Sequence, residues 1–174
     1  MKKKIFITGG AGYVGARLVP ELLKKNYDIT VFDLMYFGDH FLPKKHPNLQ
    51  IIRGDIRDHV KLKKACEGYD AFLNLACISN DPSFELNPSL GKSINLDPFK
   101  PLVEISIKSK IKKFIYASSS SVYGIKDIKN VNENCELEPL TDYSKFKVDC
   151  EDILKKYSSD DFCTSIIRPA TVCG

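Results

Sequence analysis

No apolar run in these 174 residues approaches the roughly 20 needed to cross a bilayer, so no membrane partner is expected. The opening MKKKIFITGG carries a basic cluster, but its apolar part is only Ile5, Phe6 and Ile7, too short for a signal peptide. A cytoplasmic location is the expectation. None of the six cysteines lies in a C-x-x-C pair, and His40, His46 and His59 hold no ligand spacing with them. The expected state is therefore free, mostly buried thiols, with no disulfide and no metal site. Arginine is scarce beside lysine, whereas nucleic-acid surfaces favour arginine-rich clusters with interleaved aromatics. Lysines spread as MKKK, KLKK, KSKIKK and LKKY, with a net charge of +4, read as a solvated surface, and no nucleic-acid partner is expected. Internal repeats and low-complexity segments are missing too.

What is present is the balance of a globular domain, 43% hydrophobic and 28% charged, in a chain long enough to bury a core. Short β-branched runs alternate with amphipathic stretches. Strands are predicted at 4–8, 28–33, 49–54, 70–76, 112–118 and 162–168, and helices at 13–25, 58–67, about 88–109, and 142–157. Strands separated by helices of this length imply an α/β fold, a parallel sheet covered on both faces. The last strand reads as buried. The segment 34–48 reads as loop, and Pro98 and Pro101 either break the helix near Asp97 or kink it.

ITGGAGYVGARL follows the first predicted strand and opens the first helix, with Gly9, Gly12 and Gly15 at every third position. Such spacing suits a tight turn, a bare backbone that a pyrophosphate can approach, and close packing of helix on strand. The helix N-terminus adds free N–H donors and a positive dipole end. Asp33 ends the second strand, where an acid accepts from the adenosine ribose hydroxyls; DLMYFG offers no arginine for a 2′-phosphate, so NAD is favoured over NADP. The fold expected is a Rossmann-type doubly wound sheet, a single NAD-binding domain over residues 1–174.

The motifs then resemble, in order, those of the extended short-chain dehydrogenase/reductase family, the nucleotide-sugar epimerases and dehydratases. Thr8, Gly9, Gly12 and Gly15 match T-G-x-x-G-x-x-G, with Tyr13 and Val14 beside the cofactor. RGDIRD resembles the segment in which Asp55 and Ile56 would hold the adenine. LNLAC places Leu75, Ala76 and Cys77 along the cofactor, although the family often has alanine where Cys77 stands. Asn95 matches an asparagine of the following helix, FIYASSSSVYG matches the fifth strand and its serine turn, and YSKFK supplies Tyr-x-x-x-Lys. RPATVCG resembles R-P-x-x-V-Y-G, departing at Thr171 and Cys173. By this resemblance Ser118 and Arg168 also belong to the cofactor site, and Ser119, Ser120, Ser121 and Thr171 to the substrate site.

Tyr143 and Lys147 are four apart on a predicted helix, so they share a face. A phenol with an ordinary pKa near 10 is a poor base at neutral pH. An adjacent ammonium, helped by the positive nicotinamide, is expected to bring Tyr143 down toward the working range. Tyr143 would take a proton from a sugar hydroxyl, Ser119 would hold that oxygen, and Lys147 would also hold the nicotinamide ribose. Ser118 and Ser120 are close alternatives to Ser119. The related dehydratases resemble T-D-E-V-Y-G at the serine turn, and the decarboxylases keep a glutamate before V-Y-G. Here Ser120 and Ser121 stand there, and neither is an acid or base of the needed strength. The expected activity is that of an NAD-dependent epimerase acting through a transient keto sugar. The alternatives are a keto-reductase or dehydrogenase, or a non-catalytic dinucleotide sensor.

Members of the family are about twice this length, so a substrate-binding portion is expected beyond Gly174 and weak or no turnover from this portion alone. The stripe of Tyr143, Phe146, Cys150, Ile153, Leu154 and Tyr157 admits packing, and the resemblance implies a homodimer.

Overall fold

Six parallel strands form one sheet in the computed structural model, which describes residues 2–173. They are β1 (Lys4–Thr8), β2 (Asp28–Asp33), β3 (Leu49–Arg53), β4 (Ala71–Asn74), β5 (Lys113–Ala117) and β6 (Cys163–Ile167). The order is β3-β2-β1-β4-β5-β6, the doubly wound arrangement of a Rossmann fold. The winding reverses between β1 and β4, which leaves a crevice at their C-terminal ends. The helices are α1 (Tyr13–Lys24), α2 (His59–Ala65), α3 (Asp81–Glu85), α4 (Pro88–Asn95), α5 (Phe99–Lys108) and α6 (Asp142–Tyr157).

The period-two pattern divides the core. Phe6, Phe72 and Phe114 stand in register across β1, β4 and β5. Their rings follow one another at 5.3 and 5.0 Å, within aromatic contact range. With Phe32 they bury against Leu62, Leu102, Val103, Cys150 and Leu154 of α2, α5 and α6. The alternate residues Ile7, Val31 and Leu73 pack on the other face against Val19 and Leu23 of α1. Leu42, in the irregular 34–48 segment, seals that face.

Four details depart from the sequence expectations or decide between them. The predicted helix at 88–109 is broken, with α4 ending at Asn95 and α5 starting at Phe99. Pro98 precedes α5 and Pro101 lies in its first turn, where the missing N–H would have had no partner in the helix. Helix α3 was not expected, since five residues are too few to show a period. β6 is an edge strand covered on one side only: Cys163, Ser165 and Ile167 are exposed while Thr164 and Ile166 turn inward. The thiols are not mostly buried, because only Cys66 and Cys150 are, while Cys77 and Cys135 are intermediate and Cys163 and Cys173 exposed. All six are free.

Among the described residues no helix is long and apolar enough to cross a membrane, and no cluster of potential metal ligands occurs.

Candidate active site

The parallel register delivers every motif to one end of the sheet, at the C-terminal ends of the strands. The turn after β1 is held by Gly9 N–H donating to the Phe32 carbonyl at 3.0 Å and Gly12 N–H to the Gly9 carbonyl at 3.2 Å. Gly9 has φ +73°, and a side chain there would run into the Ala76 backbone. A side chain on Gly15 would run into the Gly10 carbonyl, so α1 packs directly on the turn. The start of α1 has no side-chain cap and no acid in its first turn. No carboxylate of its own first turn therefore offsets the positive dipole end, which favours an anion there. Tyr13 and Val14 are exposed beside it.

Asp33, at the end of β2, accepts from Ala11 N–H at 3.0 Å and from Met35 N–H at 2.8 Å. It thereby fastens the glycine turn to the β2 end. Asp55 follows β3 and grips Arg57 with both oxygens, at 2.9 and 2.6 Å. That guanidinium holds its carboxyl below the usual carboxylate range. Ile56 is buried beneath. After β4, Leu75, Ala76 and Cys77 are half-buried along the crevice. Asn95 of α4 clamps this segment at Ile78, accepting from its N–H at 2.8 Å and donating to its carbonyl at 2.9 Å. The turn, the acid at the β2 end and the bare helix start fit the pyrophosphate and ribose of a dinucleotide.

Tyr143 and Lys147 share the inner face of α6, both buried. The Lys147 ammonium donates to the Ala117 carbonyl at 2.7 Å. It also lies over the rings of Tyr116 and Tyr143, at 5.0 and 5.5 Å, where aromatic faces attract a cation. Burial raises the Tyr143 phenol above its ordinary value; Lys147, the Ser119 hydroxyl and the Asn80 backbone pull it back only in part, and Cys77 pushes it further up. The expectation that Lys147 brings Tyr143 into the working range is therefore not met by the protein groups alone, because desolvation of the phenolate outweighs the ammonium.

The structure thus brings together Tyr143, Lys147, Ser119 and Cys77. Ser119 opens a single turn of 3-10 helix over Ser120–Tyr123, with its oxygen accepting from Ser121 N–H at 3.1 Å and Ser121 Oγ at 2.9 Å. Ser118 points elsewhere, donating to Glu151 Oε1 at 2.6 Å. Arg168 does the same, with Nε donating to Oε1 at 2.9 Å and Nη2 to Oε2 at 2.6 Å, while its Nη1 donates to the Tyr123 hydroxyl at 2.9 Å. Thr171 lies exposed beyond β6.

Two residues at this end escaped the sequence reading. Glu151, fully buried, stands four after Lys147 and eight after Tyr143 on one helix face, a charge inside an apolar stripe and hence a detectable signal. Asp81 begins α3 after Asn80, and nothing in the pattern marked it.

The same fold occurs in known proteins. The UDP-N-acetylglucosamine 4-epimerase of Methanobrevibacter ruminantium is 29% identical and superposes with a TM-score of 0.87 over 97% of this chain and 55% of that one. Among curated sequences, the protein y4nG of Sinorhizobium fredii is 34% identical over 99% of this chain and 42% of its own. The UDP-glucose 4-epimerase of Lactobacillus helveticus is 29% identical over 87% of this chain and 46% of its own. The chain spans about half the length of the curated relatives it matches. A match to the family model runs over residues 5–174 and takes in the glycine turn, the serine turn and the Tyr143–Lys147 face alike, so the chain belongs to the NAD dependent epimerase/dehydratase family.

Proposed function

We propose that the chain is the cofactor-binding part of an NAD-dependent nucleotide-sugar epimerase, with Tyr143 as its base. The observation that carries this reading is the buried Tyr143–Lys147 pair beside Ser119, at the C-terminal end of β5. Bound there, NAD supplies a reversible hydride acceptor. Gly9, Gly12 and Gly15 with the start of α1 would hold its pyrophosphate, and Asp33 its adenosine ribose. Asp55 and Ile56 would lie at the adenine, and Leu75, Ala76, Cys77 and Asn95 would form the wall toward the nicotinamide.

The protein's own groups manage the proton. Ionised Tyr143 accepts the proton of a sugar hydroxyl as the carbon beneath it is oxidised to a ketone. Ser119 donates a hydrogen bond to the same oxygen and fixes its place. Lys147 stabilises the phenolate and presents its remaining N–H donors to the nicotinamide ribose. Return of the proton from Tyr143 regenerates the alcohol, and reduction at the opposite face of the ketone inverts the carbon. Ser120 and Ser121 supply no acid or base for elimination, which favours epimerisation over dehydration. The substrate class follows the relatives, which include 4-epimerases of UDP-glucose and UDP-N-acetylglucosamine.

The test is incubation of the chain with NAD and either UDP-hexose, followed by chromatographic separation of the 4-epimers. Slow epimer formation at most is expected from the wild-type chain and none from Tyr143→Phe, with the NAD-induced rise in unfolding temperature present in both. Undiminished epimer formation by Tyr143→Phe, or a wild-type chain whose unfolding temperature NAD does not raise, overturns the reading.

A further inference from the structure

The segment after β4 and the head of α6 are joined through a side-chain bond that the dinucleotide site does not account for. Thr141 caps α6 and has one hydroxyl proton to give. It donates that proton to Asp81 Oδ1. The Thr141 oxygen then accepts from Ser144 N–H at 3.2 Å, and Ser144 Oγ accepts from Thr141 N–H at 3.0 Å, completing a reciprocal cap. An ionised carboxylate only accepts, so Asp81 fixes which way the Thr141 hydroxyl points and leaves its lone pairs to the helix.

Asp81 is not occupied in capping its own helix. Asn80 caps α3, accepting from Ser83 N–H at 2.9 Å. The carboxylate of Asp81 is instead directed across to α6, two residues before Tyr143. The rest of α3 leans on the same turn. Phe84 meets the rings of Tyr143 and Phe146 edge-on at 6.2 and 5.6 Å, and the Asn80 backbone faces the Tyr143 phenol. A cavity of about 270 Å³ adjoins these contacts and is lined by Asp81, Phe84, Thr141 and Tyr143 among others. The Asp81–Thr141 bond and the Phe84 ring contacts together tie α3 to the head of α6.

We propose that Asp81 is a positioning residue for Tyr143. It holds the first turn of α6 in register with α3 and so sets how deeply the phenol is buried beside Lys147 and Ser119. The catalytic meaning of this rests on the reading of Tyr143 as the base; the positional claim rests on the hydrogen bond and the packing.

The experiment follows Tyr143 ionisation by nuclear magnetic resonance in chain carrying ring-labelled tyrosine, with Tyr143→Phe identifying the signal. Burial is what raises this phenol, so Asp81→Ala should lower its midpoint toward that of an exposed tyrosine. Asp81→Asn keeps an acceptor and should titrate like the wild type. The exchanged pair, Asp81→Thr with Thr141→Asp, keeps a carboxylate at the cap and a hydroxyl on α3, and should restore the midpoint. An unchanged midpoint in folded Asp81→Ala overturns the proposal. If Asp81→Ala does not fold, the exchanged pair decides: a wild-type midpoint upholds the proposal, and a lowered one or an unfolded chain overturns it. A shifted midpoint alongside a still active Tyr143→Phe would instead refute the base reading and leave the positioning intact.

Discussion

Glu151 and Arg168 meet in a two-point ion pair at the base of the candidate site, with contacts of 2.9 and 2.6 Å and the carboxylate wholly buried. The pair ties α6 to the end of β6, and through Ser118 to the end of β5. Removing one partner strands the other. Arg168→Met is expected to lose about 3–5 kcal/mol of stability in urea unfolding. The double replacement Glu151→Leu with Arg168→Met should lose less, because no lone charge is left inside. Equal losses would show that the pair matters for packing alone.

Tyr143 predicts a pH dependence. Its folded value is raised above the ordinary one, chiefly by burial. A group raised on folding contributes stability that is fully present below its unfolded pKa, near 10, and is lost as pH rises through its folded value. Tyr143→Phe should therefore flatten the decline in unfolding free energy above about pH 10. Lys147→Met removes the ammonium that lowers Tyr143 and should move its titration further up. A downward move would mean that the lysine also keeps water out.

Asp33 tests the cofactor preference. Thermal unfolding of the wild-type chain should shift upward with NAD and not with NADP. Asp33→Ala should weaken NAD roughly 10-fold to 100-fold, the worth of hydrogen bonds to a charged group. It also frees the Ala11 and Met35 N–H groups that Asp33 now binds, so a fall in the ligand-free midpoint should accompany the loss. Equal shifts with both dinucleotides before mutation would remove Asp33 from the specificity argument.

Gly15→Ala tests the contact of α1 with the turn. The added methyl meets the Gly10 carbonyl, and overpacking of this kind costs about 1–3 kcal/mol. The midpoint should fall, and NAD should no longer raise it. Gly68→Ala, where a side chain would meet open space, serves as a contrast, with only the strain of its positive φ.

The elements that were legible were those with a period or a motif. Strands 4–8 and 28–33 appear with the predicted bounds, while the others lose a residue or more at one or both ends, where the last turn or bridge depends on a neighbour. The Tyr143–Lys147 face was readable because four residues make one helical turn. Burial of Lys147 was not, since its carbonyl partner Ala117 lies 30 residues away. Nor was the exposure of one face of β6, because a run of small and β-branched residues reads the same at a sheet edge as at its centre. Ser118 and Arg168 had family positions in sequence, yet their hydrogen bonds go to Glu151, a partner that only folding brings near.

By itself the sequence determined the fold class, the glycine turn, the acid at the end of β2 and the tyrosine–lysine spacing, all of which are set by local sterics and helical or strand periodicity. Tertiary structure alone decided that burial outweighs Lys147 at the Tyr143 phenol, that Glu151 anchors Ser118 and Arg168, and that Asp81 reaches the cap of α6. Each of those depends on desolvation or on a contact between distant parts of the chain, and neither leaves a mark in the residue order.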